Sequence, residues 1–460
     1  MKFGRTKGLH FVGIGGAGMS GIAEILLNMG YAVTGSDLAE SPTSQRLRQM
    51  GAKVALGHAR ENIVEADVVV ISSAIRQDNP ELQEARARHI PVIPRAQMLA
   101  ELMRMKHSVA VAGAHGKTTA TSMAAAVLSK GGLDPTIVIG GKVDRFGSGA
   151  RLGKGDFLVA EADESDGSFL RLHPTVAVVT NIDAEHLDHY GSFEKVKEAF
   201  VEFTNRPPFY GAAILCLDDP AIQEIIPKVE RRMLTFGISA SADLTASGME
   251  YSSFGSSFDV NLGGEPIGRV NINMPGAHNV YNALAAAAVG IELEMAPDQV
   301  VEALSGFSGI ERRCQLKGER NGVMVVDDYG HHPSEIKATL RGLKNGFPGK
   351  RLIVVFQPHR YSRTKNHLAD FGKAFYDADE LVVTQIYAAG EDPIEGVDGE
   401  DVARQAQAYG AKSVTYIEDI KDIPAHLAKN ASQGDIVITL GAGNVVRVGE
   451  WFIGEDDKNS

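Results

Sequence analysis

Two glycine-rich loops, each set between an apolar run and a helical pattern, constrain this chain more than any other feature. The first is G-I-G-G-A-G from Gly13 to Gly18, and the second, about a hundred residues later, is G-A-H-G-K-T from Gly113 to Thr118. A strand, a glycine turn and a helix in that order leave helix N–H groups aimed at an anion, the arrangement of parallel α/β sheets. Two such loops imply two phosphorylated ligands on different domains, and an enzyme that spends a nucleoside triphosphate on a nucleotide-like second substrate.

The rest of the chain continues the same rhythm. At 460 residues it is too long for one hydrophobic core and suits two to four domains. Strand signals at Leu9–Ile14, Ala32–Gly35 and Val68–Ser72 alternate with helical patterns near Met19–Met29, Ser44–Met50 and Pro80–Arg88, up to a boundary near residue 105. A second section opens with Ser108–Ala112 and a helix from Thr118 to Lys130, with further strands at Phe157–Ala160, Val176–Thr180 and Ala213–Cys216. Residues 234–274 read instead as antiparallel ribbon, with alternating runs at Tyr251–Leu262 and Arg269–Met274, before a helix over Ala277–Val289. A third section repeats the βα pattern at Val323–Asp327, Arg351–Phe356, Leu381–Thr384, Ser413–Tyr416 and Asp435–Leu440. The expected division is 1–105, 106–312 and 313–460, all α/β with mainly parallel sheets.

Charge and cysteine content narrow the partners. Against 46 Lys and Arg stand 58 Asp and Glu, net −12, so no basic stripe exists to neutralise a nucleic-acid backbone. Cys216 and Cys314 have neither metal-ligand spacing nor a disulfide framework, which points to a reducing cytoplasm. No secretory apolar segment precedes Leu9, and no charge-free apolar run reaches the roughly 20 residues that cross a bilayer.

The first loop alone favours NAD or FAD somewhat over a UDP-type ligand, and Asp37 stands where a carboxylate meets a ribose hydroxyl. A merely structural turn is the bland alternative. The second loop is sharper: backbone N–H groups from Gly113 to Lys117 can wrap a β-phosphate, Lys117 can bridge the β- and γ-phosphates, and the Thr118 hydroxyl can hold Mg²⁺. Val111 replaces the first glycine of the longer phosphate-loop pattern. Acidic residues crowd the end of Phe157–Ala160 as Glu161, Asp163, Glu164 and Asp166, with Glu161 best placed to face a metal. A second polar cluster after Val176–Thr180 holds Asn181, Asp183, Glu185, His186, Asp188, His189 and Tyr190. Neutral His186 can ligate a metal there, with Asp183 orienting it or a water. Arg360 and Arg363, three apart at a βα junction, suit a carboxylate or phosphate.

Taken together, G-A-H-G-K-T-T, E-A-D-E-S-D-G-S-F, N-I-D-A-E-H-L-D, G-A-H-N-V-Y-N-A, D-D-Y-G-H-H-P-S-E and Q-P-H-R-Y-S-R-T occur in one order over the whole chain and resemble the Mur ligases of bacterial peptidoglycan synthesis. The resemblance is strongest to the branch that adds the first amino acid. It implies an N-terminal Rossmann-like domain, a central P-loop ATPase domain and a C-terminal Rossmann-like domain. It further implies ATP-driven joining of L-alanine to the lactyl carboxylate of UDP-N-acetylmuramate through an acyl phosphate, by a cytoplasmic monomer or weak homo-oligomer.

Site roles follow from the same resemblance. Gly15, Gly16, Ala17, Gly18, Met19 and Ser20 would receive the pyrophosphate, Ser72 would help hold the nucleotide, and Asp37 would meet its ribose or uracil. Gly113, Ala114, His115, Gly116, Lys117, Thr118 and Thr119 would cradle ATP, with His278, Asn279 and Asn282 around adenine and Asp327 at the ribose. Thr118 and Glu161 would hold one Mg²⁺ and His186 a second. Relatives carry a carbamylated lysine about fifteen residues after the metal histidine; Val201 stands here, so none is expected. His331, His332, Arg360 and Arg363 would lie near the amino acid and the transferred phosphate, with His186, His332 or a water as base. Three other readings are compatible with parts of the pattern: a recycling ligase that adds a tripeptide to the same sugar nucleotide, an NAD-dependent dehydrogenase, and a non-catalytic nucleotide scaffold.

Overall fold

In the computed structural model, which describes residues 3–63, 65–72, 74–143 and 148–454, the strands form three sheets. The first contains β1 (Gly8–Val12), β2 (Ala32–Asp37), β3 (Lys53–Leu56), β4 (Val68–Ile71) and β5 (Val92–Pro94), in the order β3-β2-β1-β4-β5 and parallel throughout. The order reverses between β1 and β4, so a crevice opens at their carboxyl ends, the usual ligand position in such a sheet.

The second sheet is built on β6 (His107–Ala112), β7 (Thr136–Val143), β8 (Ser148–Arg151), β9 (Phe157–Glu161), β10 (Val176–Val179), β11 (Ala212–Cys216), β12 (Met233–Gly237), β13 (Leu244–Ser252), β14 (Gly255–Leu262) and β15 (Glu265–Ile272). Its order is β15-β14-β13-β12-β11-β10-β6-β9-β7-β8. β6 lies between β10 and β9, parallel to both, which brings the polar cluster and the acidic run to either side of the lysine loop. The helix Lys117–Lys130 that follows is buried from Thr119 to Leu128, in keeping with its small Ala, Ser and Thr side chains.

The ribbon departs from the alternating run read over Tyr251–Leu262. Ser253 takes a positive φ of 49° and turns the chain between β13 and β14, because period-two alternation continues across a tight turn and hides it. A second tight turn at Gly263 and Gly264 leads into β15.

The third sheet orders β16 (Gln315–Arg320), β17 (Val323–Asp328), β18 (Leu352–Phe356), β19 (Glu380–Val383), β20 (Val414–Tyr416) and β21 (Ile436–Leu440) as β16-β17-β21-β18-β19-β20. Only β16 runs antiparallel to its neighbour. Its central strands are apolar on both faces: Leu352, Val354 and Phe356 pack into one core, Ile353 and Val355 into another. This explains why they read as unbroken apolar runs.

The chain forms two compact units. One comprises the residues up to Ser247 with Asp259–Val270 and Tyr281–Phe307; the other comprises Gly248–Phe258, Asn271–Val280 and the residues from Ser308 onward. The first two sheets thus lie mainly in one unit and the third in the other. Among the described residues no helix is long and apolar enough to cross a membrane.

Candidate active site

In the first unit, β1 is followed by Gly13 at a φ of 78°, and the N–H groups of Gly13 and Ile14 donate to the Ser36 carbonyl at 2.8 and 3.0 Å. The helix Ala17–Asn28 begins after Gly16, with no side chain capping it. Its first-turn N–H groups are therefore disposed toward an anion. Met19 is buried beneath the loop, while Ser20 donates its backbone N–H to Gly16 O at 2.9 Å. Gly15 N–H donates to Asp37 Oδ2 at 2.8 Å, and Asp37 Oδ1 accepts from Leu38 N at 2.8 Å. Asp37 therefore shapes the loop directly. Ser72, just past β4, lines a cavity of about 260 Å³ with Arg95, Gly167 and Ser168.

Beneath this loop lies a buried polar network absent from the sequence reading. Glu81 accepts from Ser36 Oγ at 2.6 Å, Asn62 Nδ2 at 2.5 Å and Ala59 N at 3.3 Å, and its Oε2 lies 3.4 Å from His10 Nε2. His58 Nδ1 meets Ser36 Oγ at 2.9 Å. Glu81, His10 and Ser36 are fully buried. Burial pushes the Glu81 carboxyl up, but hydrogen bonds from His10, Ser36 and Asn62 outweigh it and hold the group down at about 2. The same Ser36 whose hydroxyl is fixed here offers its carbonyl to the glycine loop.

The lysine loop is shaped as closely. Gly113 has a φ of 136°, and a Cβ there would lie 2.2 Å from Thr180 Oγ1. At Gly116, with a φ of 81°, a Cβ would lie 2.4 Å from Asn282 Oδ1. Side chains at either position would deform the cradle. Ala114 N donates to Asn181 O at 3.3 Å and His115 N to Asn181 Oδ1 at 2.8 Å, while the His115 ring reaches Asp183 at 3.0 Å. Thr119 is buried in the helix and Thr118 half-buried at its start. Lys117 Nζ folds back onto the loop, donating to Gly113 O at 2.6 Å, Ala114 O at 3.1 Å and Glu164 Oε1 at 2.9 Å.

Around that ammonium the carboxylates converge. Glu164 is buried, and its Oε2 has no hydrogen-bond partner among the described residues. Burial raises the Glu164 carboxyl to about 7 despite the charge of Lys117. Burial disfavours the ammonium as well, yet Glu164, Asp163 and Glu185 together keep Lys117 above its ordinary value. All three donors of the ammonium are thereby satisfied. His186, at a φ of 56°, places Nε2 3.7 Å from Glu164 Oε1 and 3.4 Å from Glu185 Oε2. Ligand atoms of Glu164, Glu185 and His186 all lie within 4.8 Å of one another, a donor set of two carboxylates and an imidazole that suits a divalent cation. Glu161, half-buried at the end of β9, stands outside that trio. Val201 occupies the helix Phe193–Thr204.

In the second unit, His278 and Asn279 begin the helix Ala277–Glu292; Asn279 Nδ2 donates to Pro275 O at 2.8 Å. Burial and then Arg313 depress His278 to about 4. Asn282, one turn on, belongs to the first unit, beside Gly116. Asp327 is fully buried, accepting from Arg312 Nε at 2.9 Å and Thr439 Oγ1 at 2.6 Å. Its neighbour Asp328 accepts from Gly330 N at 2.7 Å and Cys314 N at 2.8 Å, and burial raises its carboxyl to about 6. His332 caps the helix Pro333–Gly346: its Nδ1 accepts from Ser334 N at 3.4 Å, and Glu335 accepts from the His331 and His332 N–H groups at 3.0 and 3.2 Å. His331 lies 5.7 Å, ring to ring, from His359, which stacks on Tyr387. Burial first, aided by nearby arginines, lowers both histidines to about 4, so that both are neutral at pH 7. Arg363 Nη1 lies 3.2 Å from His359 Nδ1, and exposed Arg360 holds a φ of 70°, strain of about 1–3 kcal/mol for a side chain of its type. His331, His332, Arg360 and Arg363 thus share the carboxyl edge of the third sheet.

Comparison with known proteins adds an independent line. Three family models match in succession: "Mur ligase family, catalytic domain" over residues 8–107, "Mur ligase middle domain" over 111–290 and "Mur ligase, glutamate ligase domain" over 312–443. A UDP-N-acetylmuramate–L-alanine ligase of Geobacter sp. (strain M21) is 58% identical over 451 residues, covering 98% of each chain. Among solved structures, the UDP-N-acetylmuramate–alanine ligase of Thermotoga maritima matches with a TM-score of 0.81 and 29% identity, over 97% of this chain and 98% of that one. A murein peptide ligase of Psychrobacter arcticus matches with a TM-score of 0.71 and 25% identity, over 98% of both.

Proposed function

The chain belongs to the Mur ligase family, and from that premise we propose that it joins L-alanine to the lactyl carboxylate of UDP-N-acetylmuramate at the expense of ATP. The observation that carries the reading is the end-to-end likeness to alanine-adding ligases, combined with two phosphate loops at the carboxyl ends of two different sheets. We assign the sugar nucleotide to residues 1–105, ATP to 106–312 and the amino acid to 313–460, in a cytoplasmic monomer or weak homo-oligomer.

The lactyl carboxylate attacks the γ-phosphorus of ATP, giving an acyl phosphate and ADP; the neutral amine of L-alanine then attacks the activated carbonyl, and phosphate leaves as the amide forms. Lys117 must swing from Gly113 O and Ala114 O toward the phosphate oxygens, where its charge stabilises the transferring group. Thr118, Glu161 and His186 remain our metal assignments, and Glu164 and Glu185 complete the donor set around His186. Mg²⁺ held there would offset charge on the phosphate and carboxylate oxygens. His278, Asn279 and Asn282 border adenine in this reading, Asp327 approaches the ATP ribose, and Arg360, Arg363, His331 and His332 face the amino acid and transferred phosphate.

Phosphate release with UDP-N-acetylmuramate and ATP, with L-alanine or with a tripeptide as acceptor, tests the assignment. Turnover that requires L-alanine is expected. Turnover with tripeptide alone would replace the reading by that of a recycling ligase.

A further inference from the structure

A cation packed against the first glycine loop is supplied by none of the recognised motifs. Arg95 opens the helix Arg95–Met103 directly after β5, at the same sheet edge as the loop and Ser72. A Cβ added to Gly18 would lie 2.5 Å from Arg95 Nη1 and 3.0 Å from its Cδ and Cζ. The guanidinium therefore packs against the first turn of the helix Ala17–Asn28, whose N-cap is a glycine without side-chain hydrogen bonds. Its other side faces the acidic run, with Nη2 3.6 Å from Asp163 Oδ2. Burial opposes charge on Asp163, but Ser165, Lys117 and Arg95 outweigh it and hold the carboxyl below its ordinary range.

We propose that Arg95 reads the diphosphate of the sugar nucleotide, with Asp163 holding its guanidinium over the glycine loop. The proposal rests on the reading of that loop as the UDP-sugar site. Its physical basis is a local imbalance. Asp37 already accepts the Gly15 N–H, and Asp163 and Asp166 stand close by, so an incoming dianion meets carboxylates on several sides. The cavity beside the loop is lined by two cations, exposed Arg171 and the better-shielded Arg95, of which Arg95 touches the loop itself. A planar five-donor fork can serve one carboxylate and a diphosphate at once, which an ammonium cannot do with fixed geometry. The same carboxylate lies near Lys117, so Asp163 stands between the cations of the two phosphate sites.

Calorimetric binding of UDP and of uridine to the full chain separates diphosphate recognition from base and ribose recognition. The intact protein is expected to prefer UDP. In Arg95→Gln, UDP affinity should fall about ten- to hundredfold, the range of a charge-assisted hydrogen bond, while uridine and MgADP affinities stay unchanged. Arg95→Lys, which keeps the charge and packing stem, should lose part of that preference and provides a folded control. An undiminished UDP preference in both variants, or uridine affinity falling in step with UDP, would overturn the role of Arg95. If the intact protein does not distinguish UDP from uridine, the glycine-loop reading itself fails.

Discussion

Glu81 and Glu164 are buried glutamates at the roots of the two phosphate loops, and their surroundings drive them in opposite directions. Around Glu81, donors from four residues outweigh burial and hold the carboxylate ionised down to about 2. Around Glu164, burial prevails over a single lysine, one oxygen has no hydrogen bond among the described residues, and the group rises to about 7. The first carboxylate is complete within the folded chain and serves to fix strands, loop and helix to one another. The second is left short of positive charge, the condition expected where a cation belongs. Two loops of similar outline thus rest on carboxylates of opposite character, one fully paired and one incompletely paired among the described residues.

Replacing Lys117 by Ala should break the second region most severely. Turnover is expected to fall by about a hundredfold or more, roughly 3 kcal/mol of lost transition-state stabilisation, while UDP affinity is unchanged. Phosphate release and calorimetry on the folded variant check this, and near-normal turnover would remove Lys117 from the chemistry.

Glu81→Gln tests the first region. Its folded value lies below the ordinary 4.5, so its contribution to stability is present above about 4.5 and is lost as pH falls toward 2. The variant should be less stable by about 2–3 kcal/mol at neutral pH and should lose that acid dependence. Urea unfolding across acid pH provides the measurement. Asp37→Ala should be milder on stability and instead weaken UDP binding by about 1.5–3 kcal/mol with MgADP unaffected, as titration of each nucleotide would report. Equal losses for both nucleotides would mean that the two loops do not act separately.

The smallest expected effect is that of Glu164→Gln on stability, within about 1 kcal/mol. Here the folded value lies above 4.5, so the contribution is fully present below that pH and disappears as pH rises through about 7. The variant should match the parent in mild acid and exceed it slightly above neutrality. Parallel unfolding curves for parent and variant over that whole interval would contradict the environment described for Glu164.

The glycine loops, the acidic run and the order of βα units were legible because each is a local pattern, written in spacing and residue type. The Glu81 network was not. Glu81 sits in the first turn of the helix Pro80–Ala87 after the cap Asn79, where an acid is ordinary, and its partner His10 is 71 residues away. Arg95 likewise reads as any helix-start residue until Gly18 is seen against it. The turn at Ser253 was hidden by alternation that continues through it, and the grouping of Glu164 and Glu185 with His186 required β9 and β10 to flank β6. Such long-range closures depend on topology, which a linear pattern does not contain.

The cap that His332 provides has a consequence for proton bookkeeping. An Nδ1 that accepts from Ser334 N–H must carry its lone pair there, so the neutral ring bears its hydrogen on Nε2. Nitrogen NMR of the labelled ring would register that tautomer directly. In this state the imidazole offers a donor at Nε2 rather than a vacant lone pair. In the role proposed for His332, that tautomer suits the ring to steady an oxyanion rather than to take the proton from the attacking amine, and the choice is made by a helix cap two residues from the ring's own backbone.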